Sequence, residues 1–147
     1  MRKQKLDSKQ KEAYWDLFVN RTDVYMRQGS KGIPAKKSEP LTKDVLFDPN
    51  QNIGSYQINN NDNTVKLAAL DIDLSKDVYE APDFNFEDWR PAMLKQVQRA
   101  KSLLSSRGIE SLSEFSGFKG YHIWIFFSQP TDASIAKKFM HDVFDDM

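Results

Sequence analysis

LAALDIDL at 67–74 is the stretch on which the fold turns. Side chains alternate along a strand, so Asp71 and Asp73 leave one face while Leu70, Ile72 and Leu74 leave the other. A second run, SGFKGYHIWIFF at 116–127, opens on a glycine-bearing polar loop and then lifts His122 into a strand. There the alternation sets His122, Trp124 and Phe126 against Tyr121, Ile123, Ile125 and Phe127. We expect the two runs to be adjacent antiparallel strands, with Asp71, Asp73 and His122 facing one cleft. A helix must then cover the opposite face, because two carboxylates beneath an apolar stripe would lack partners.

That helix is expected at about 88–107, between the two runs. Asp88 is placed to cap it, Pro91 fits its first turn, and Gly108 is a natural stop. Met93, Val97, Ala100 and Leu104 form its apolar stripe. Working outward, residues 8–20 read as a helix with Ser8 as cap and Ala13, Tyr14, Leu17 and Phe18 on one face. Short strands are expected at Asp23–Arg27, Gly54–Ile58 and 109–115. Residues 28–52 and 75–87 read as loops, and Asn59–Asn63 as a turn. The Tyr121–Phe127 strand is expected to close at Pro130. Thr131 would then cap a last helix with Ile135, Ala136, Phe139, Met140, Val143 and Phe144 inward.

Two like charges on neighbouring same-face positions repel, and a divalent cation between them reverses that cost. Mg²⁺ prefers one or two carboxylates completed by waters and substrate phosphates. The D-x-D pattern by itself also fits the solvated face of an edge strand. Its apolar setting argues the other way, since a merely solvated strand more often offers Thr, Lys or Arg. In the loop, Gly117 and Gly120 permit close backbone approach and positive φ, so main-chain N–H groups can meet phosphate oxygens. Ser116 adds a hydroxyl, Lys119 a point charge, and His122 an imidazole able to donate to phosphate or protonate a leaving group. A tight turn with an incidental lysine is the plainer alternative. His141 and the acidic group Asp142, Asp145 and Asp146 read as helix surface. A metal place beside a phosphate place points to nucleotidyl transfer.

Composition narrows the field. The 147 residues suit a single domain, 1–147. Hydrophobic content is only 39%, yet ten Phe, five Tyr and three Trp supply bulk for a core. With 21 basic and 21 acidic residues, any nucleic-acid surface must be a local patch. The absence of cysteine excludes disulfides, thiolate metal sites and cysteine nucleophiles. No apolar run reaches about 18 residues and the charged start MRKQKLDSKQKEAYWD has no apolar signal core, so no membrane partner and a cytoplasmic location are expected.

The two motifs, in this order with a helix between them, resemble the archaeo-eukaryotic primase superfamily, the primase-polymerases. Its hallmarks are a DxD strand, here Asp71-Ile72-Asp73, and an sGxKGxH strand, here Ser116-Gly117-Phe118-Lys119-Gly120-Tyr121-His122. The flanks are similar to primase domains of TOTE conflict systems and to CRISPR-associated primase-polymerases. Phe18–Tyr25 is similar to their F-x-G-R-x-D-V-Y opening, with Asn20 where they usually carry Gly. Ile53-Gly54-Ser55-Tyr56 is similar to their I-G-x-Y segment, and His122–Pro130 to their H-v-W-i-F-F-x-x-P run. The likeness covers about 14–145.

The resemblance implies an α+β fold with an RRM-like antiparallel sheet and helices packed on one face. It implies a DNA primase and polymerase function, in which Asp71 and Asp73 bind Mg²⁺ or Mn²⁺ and, with His122, form the catalytic set. Ser116, Gly117, Lys119, Gly120 and His122 would hold the incoming nucleoside triphosphate, and a DNA or RNA template-primer would be the partner. Superfamily members carry a third acidic ligand on a later strand, which would follow the helix at 131–147. The chain therefore looks like the N-terminal part of a catalytic domain, with further domains expected in the parent protein. A catalytically incomplete nucleotide- or nucleic-acid-binding module and a metal-dependent nuclease are the alternatives.

Overall fold

A computed structural model describes residues 6–29 and 33–145. It is α+β with antiparallel sheets, the expected class, but its strands form two three-stranded sheets. The chain divides into two compact units, residues 1–67 with 127–134 and residues 68–126 with 135–147.

In the first unit, helix α1 spans Ser8–Phe18. Its cap is Asp7, one residue before the expected Ser8. The Asp7 carboxylate accepts from Gln10 N–H and the Gln10 side chain accepts from Asp7 N–H, a closed capping box. The expected apolar face forms only in part: Tyr14 stacks on Phe18 at 4.6 Å, but α1 has no buried residue, and Tyr14 and Leu17 are exposed. Trp15 and Val19 turn inward instead, onto Tyr25 and Leu41. Strand β1, Tyr25–Gln28, pairs antiparallel with β2, Pro34–Lys37, and with β3, Ile53–Ser55. Residues 28–52 are thus no plain loop, since they hold β2 and the one-turn helix α2, Lys43–Leu46. Asn20 now has a reason: its side-chain amide donates to the carbonyls of Gln57 and Thr64 at 3.0 and 2.8 Å. A glycine there would leave both carbonyls without that donor.

The motif residues lie in the second unit, on a sheet ordered β4–β6–β5. Strand β4 is Thr64–Asp73, β5 is Leu112–Phe115 and β6 is Gly120–Asp132. β5 and β6 are antiparallel, with Glu114 opposite His122 and Leu112 opposite Trp124. The Leu74 N–H donates to the Lys119 carbonyl at 3.1 Å, and Asp71 lies beside His122, so β4 also runs antiparallel to β6. Helix α4, Phe86–Ser106, buries Met93, Val97, Ala100 and Leu104, the predicted stripe. They meet Leu74, Tyr121, Ile123 and Ile125 in one core, with Leu70 and Ile72 packed at its margin. The alternation read from sequence therefore holds on both strands.

Several boundaries differ from expectation. α4 begins two residues early because Asn85, not Asp88, caps it, accepting from Glu87 N–H at 3.2 Å. Pro91 consequently sits inside the helix, beyond the first turn, where its missing N–H forfeits a bond to the Glu87 carbonyl. Gly108 ends the helix as expected, with φ +72° and its N–H on the Ser105 carbonyl. The 75–87 segment contains a short helix α3, Lys76–Tyr79. β6 runs through Pro130 instead of closing there; its pairing with β5 extends only to Trp124, so a proline further on interrupts no ladder on that side. The final helix α5, Ala133–Phe144, is capped by Asp132, not Thr131, through a 2.8 Å bond from Ser134 N–H. Ala136 and Val143 are buried, and Phe139, Met140 and Phe144 pack on the core, but Ile135 points to solvent. No helix among the described residues is long and apolar enough to cross a membrane.

Candidate active site

β4, β6 and their loops bring the motif residues together on the sheet face opposite α4. His122 stands on the central strand between two carboxylates. Its Nε2 lies 3.1 Å from Asp71 Oδ1 across the β4 pairing, and its Nδ1 lies 3.7 Å from Glu114 Oε2 across the β5 pairing. Among the described residues, Nδ1 is buried without a hydrogen-bond partner. The Trp124 indole N–H donates to the same Glu114 Oε2 at 2.9 Å, and its ring meets the His122 ring edge-on at 5.3 Å. The imidazole is thus held from one side by an aromatic wall and addressed from both sides by carboxylates.

Two residues along β4, on the same face, Asp73 pairs with Lys119: Nζ to Oδ2 is 2.6 Å. The hydrogen bond to Asp73 raises the lysine pKa above its ordinary value, so Lys119 remains a full positive charge at neutral pH. The same ammonium sits 5.0 Å from the centre of the Tyr79 ring. Asp73 reaches this place because of Gly120. A Cβ there would stand 2.2 Å from Asp73 Oδ1 and 2.3 Å from the Ile72 carbonyl oxygen. The glycine's use is therefore close approach, with no positive φ required. Gly117 does take one, +91°, turning the chain out of β5.

The loop closes on itself. Ser116 N–H donates to the Gly120 carbonyl at 2.9 Å, and Gly120 N–H donates to Ser116 Oγ at 3.2 Å. Ser116 Oγ thus accepts inside the loop, and a hydroxyl that accepts one bond can still donate another. Asp71, Asp73, Ser116, Gly117, Lys119, Gly120 and His122 are accordingly gathered in the second unit. The side chain of Asp71 is 68% exposed, while those of Asp73, Lys119 and His122 are about one-third exposed. The other histidine, His141, is exposed on α5 near Asp145 at 3.5 Å, and Asp142 pairs with Lys138 there. Asp146 lies outside the described residues.

Glu114 is the residue that sequence reasoning passed over. Its signal was present: a three-residue loop of 117–119, closed by Ser116 and Gly120, sets 115 against 121, and hence Glu114 against His122.

A face that pairs two oxygen donors with a lysine and an imidazole has the chemical parts for holding a phosphorylated ligand beside a hard cation. The comparison with known families agrees with this geometry. The family described as TOTE conflict system, Archaeo-Eukaryotic Primase domain, matches residues 30–147. The chain belongs to this family. The matched segment includes Asp71, Asp73 and the whole 116–122 loop and begins after Phe18–Tyr25. No curated protein matches the chain. The primase domain is thus the setting in which Asp71, Asp73, Lys119 and His122 are read.

Proposed function

We propose that this face performs primase-polymerase chemistry: template-dependent joining of nucleoside triphosphates to a DNA or RNA strand, with Mg²⁺ or Mn²⁺. The observation that carries the reading is the convergence of Asp71, Asp73, Lys119 and His122, with 3.1 and 2.6 Å pairings, on one open sheet face.

The donor set suits a hard divalent cation. Asp71 and Asp73 are same-face carboxylates within reach of solvent, and Gly120 leaves the room that Asp73 occupies. Among the described residues no group of three His, Cys, Asp or Glu is disposed to hold a metal, so the fit is to a cation shared with substrate phosphates. Bound there, such a cation would activate the attacking hydroxyl and offset charge on the departing pyrophosphate. The chain's own residues do the rest. Lys119 exchanges Asp73 for a phosphate oxygen when the triphosphate arrives, so neither charge is left unpaired. Ser116 donates its hydroxyl hydrogen to the same phosphates. His122 presents Nε2 toward the substrate side and holds a proton for the leaving group. Glu114 and Trp124 keep its ring from turning away.

A second reading, a nucleotide-binding module without turnover, is favoured by that two-carboxylate donor set. One experiment separates them. A primed template is supplied with nucleotides and Mn²⁺, and the parent chain is compared with Asp71→Ala/Asp73→Ala. Extension by the parent and none by the variant is the expected result. Nucleotide binding without extension would replace it with the binding module, and loss of the template strand with a nuclease.

A further inference from the structure

We infer that Phe118, backed by Tyr79 and Phe84, is the stacking platform for the base of the incoming nucleoside triphosphate. Phe118 sits at the tip of the glycine loop, between Gly117 and Lys119, and is 55% exposed. A phenyl ring left that far in water gains from acquiring an apolar cover. Tyr79 and Phe84 meet it edge-on, at centroid distances of 5.8 and 6.0 Å and interplanar angles of 69° and 71°. Phe84 itself packs against the core of the second unit, so the cluster is anchored to the folded body and does not hang from a free loop.

Position selects the occupant. The Tyr79 ring that supports Phe118 is also the ring 5.0 Å from Lys119 Nζ. The aromatic surface and the positive charge are therefore successive residues converging on one side chain. A ligand with an anionic end and a flat aromatic end matches that pair, and a nucleotide has both. Every base presents a π-face, so such a platform is tolerant of base identity, as a copying enzyme requires. The inference rests on the proposed binding of triphosphate at Lys119, and the test separates the two.

The 147-residue chain is titrated calorimetrically, in excess Mg²⁺, with ATP and with ribose 5′-triphosphate, the same ligand lacking its base. The parent should bind ATP about tenfold more tightly than ribose 5′-triphosphate, the scale of one base stacked on an aromatic side chain. Phe118→Ala should lower ATP affinity to the base-free level and leave ribose 5′-triphosphate unchanged, while Phe118→Trp should keep the preference. Phe118→Ala binding ATP like the parent, or losing both ligands equally, would overturn the platform. Lys119→Ala should weaken both ligands together. If it weakens neither, the phosphate assignment fails, whatever Phe118 does.

Discussion

On the back of the β4–β6–β5 sheet, Ile123 and the facing Leu104 of α4 have no exposed surface. On the front, one residue along β6, His122 is about one-third exposed, and Asp71 beside it on β4 is 68% exposed. The same strands therefore serve two purposes separated by a single residue step. The back holds the unit together by apolar burial, and the front collects charges whose pairings lie in or near water. The difference teaches that stability and chemistry are assigned to alternate positions. Substitutions should then separate them, except where one residue serves both faces.

The largest effect is expected at the back. Leu104→Ala removes a wholly buried side chain from the contact between α4 and the sheet. Lost transfer energy plus the residual cavity gives about 2–5 kcal/mol of destabilisation. Urea unfolding should show a lower midpoint with an unchanged slope. A change of less than about 1 kcal/mol would mean that the α4 face is not the core.

Gly120→Ala should come next and should damage both faces at once. The new methyl would collide with the Ile72 carbonyl, which is backbone and cannot swing aside, as well as with Asp73. Overpacking of this kind costs about 1–3 kcal/mol, and Asp73 would be displaced from Lys119. Melting temperature and Mn²⁺ response should fall together. A variant that is stable and still binds Mn²⁺ like the parent would show that the close approach is unimportant.

How much of this was legible beforehand follows from the range of each interaction. The two faces were legible because LAALDIDL and YHIWIFF carry a period of two, which is a local property of the chain. The α4 stripe was legible for the same reason, at a period of 3.6. The helix start was not, because Asn85 and Asp88 are both good caps and the choice depends on which reaches a free N–H. α2, α3 and β2, each four residues long, are too short to show a period at all. The inward face of α1 was misread because the unit's core collects Trp15 and Val19, a long-range outcome that no window over 8–20 contains. At the site, Asp71, Asp73 and His122 could be placed on one face in advance and Lys119 in the glycine loop, but the pairing of Lys119 with Asp73 depends on a gap that only Gly120 leaves open.

A third test sharpens the front face alone. Lys119→Ala and His122→Ala should each weaken triphosphate binding about five- to a hundredfold, the scale of one charge-assisted hydrogen bond. Both side chains are partly in water, so circular dichroism and melting should stay near those of the parent. If affinity falls only in proportion to lost folded protein, these residues are structural and the division between faces is wrong.

The smallest expected effect is the stability change in Asp71→Asn. Its carboxylate is the most exposed of the site, and its partner His122 offers an ion pair only when protonated. Exposed pairs of this kind contribute about 0–1 kcal/mol. Asn keeps the size and hydrogen-bonding reach of the side chain, and removing the charge relieves repulsion from Asp73. These small opposing contributions leave a net change within about 0.5 kcal/mol, the usual range for surface substitutions. Metal response should behave differently. In the parent, Mn²⁺ should selectively broaden the amide resonances of residues 70–74, since a carboxylate pair is the strongest anchor for a hard cation on this face. In Asp71→Asn that broadening should weaken sharply while the unfolding curve overlays the parent's. Uniform broadening across the parent spectrum would remove the metal assignment. A destabilisation comparable to Leu104→Ala would instead make Asp71 a structural residue, and the front of the sheet would then follow the rule of its back.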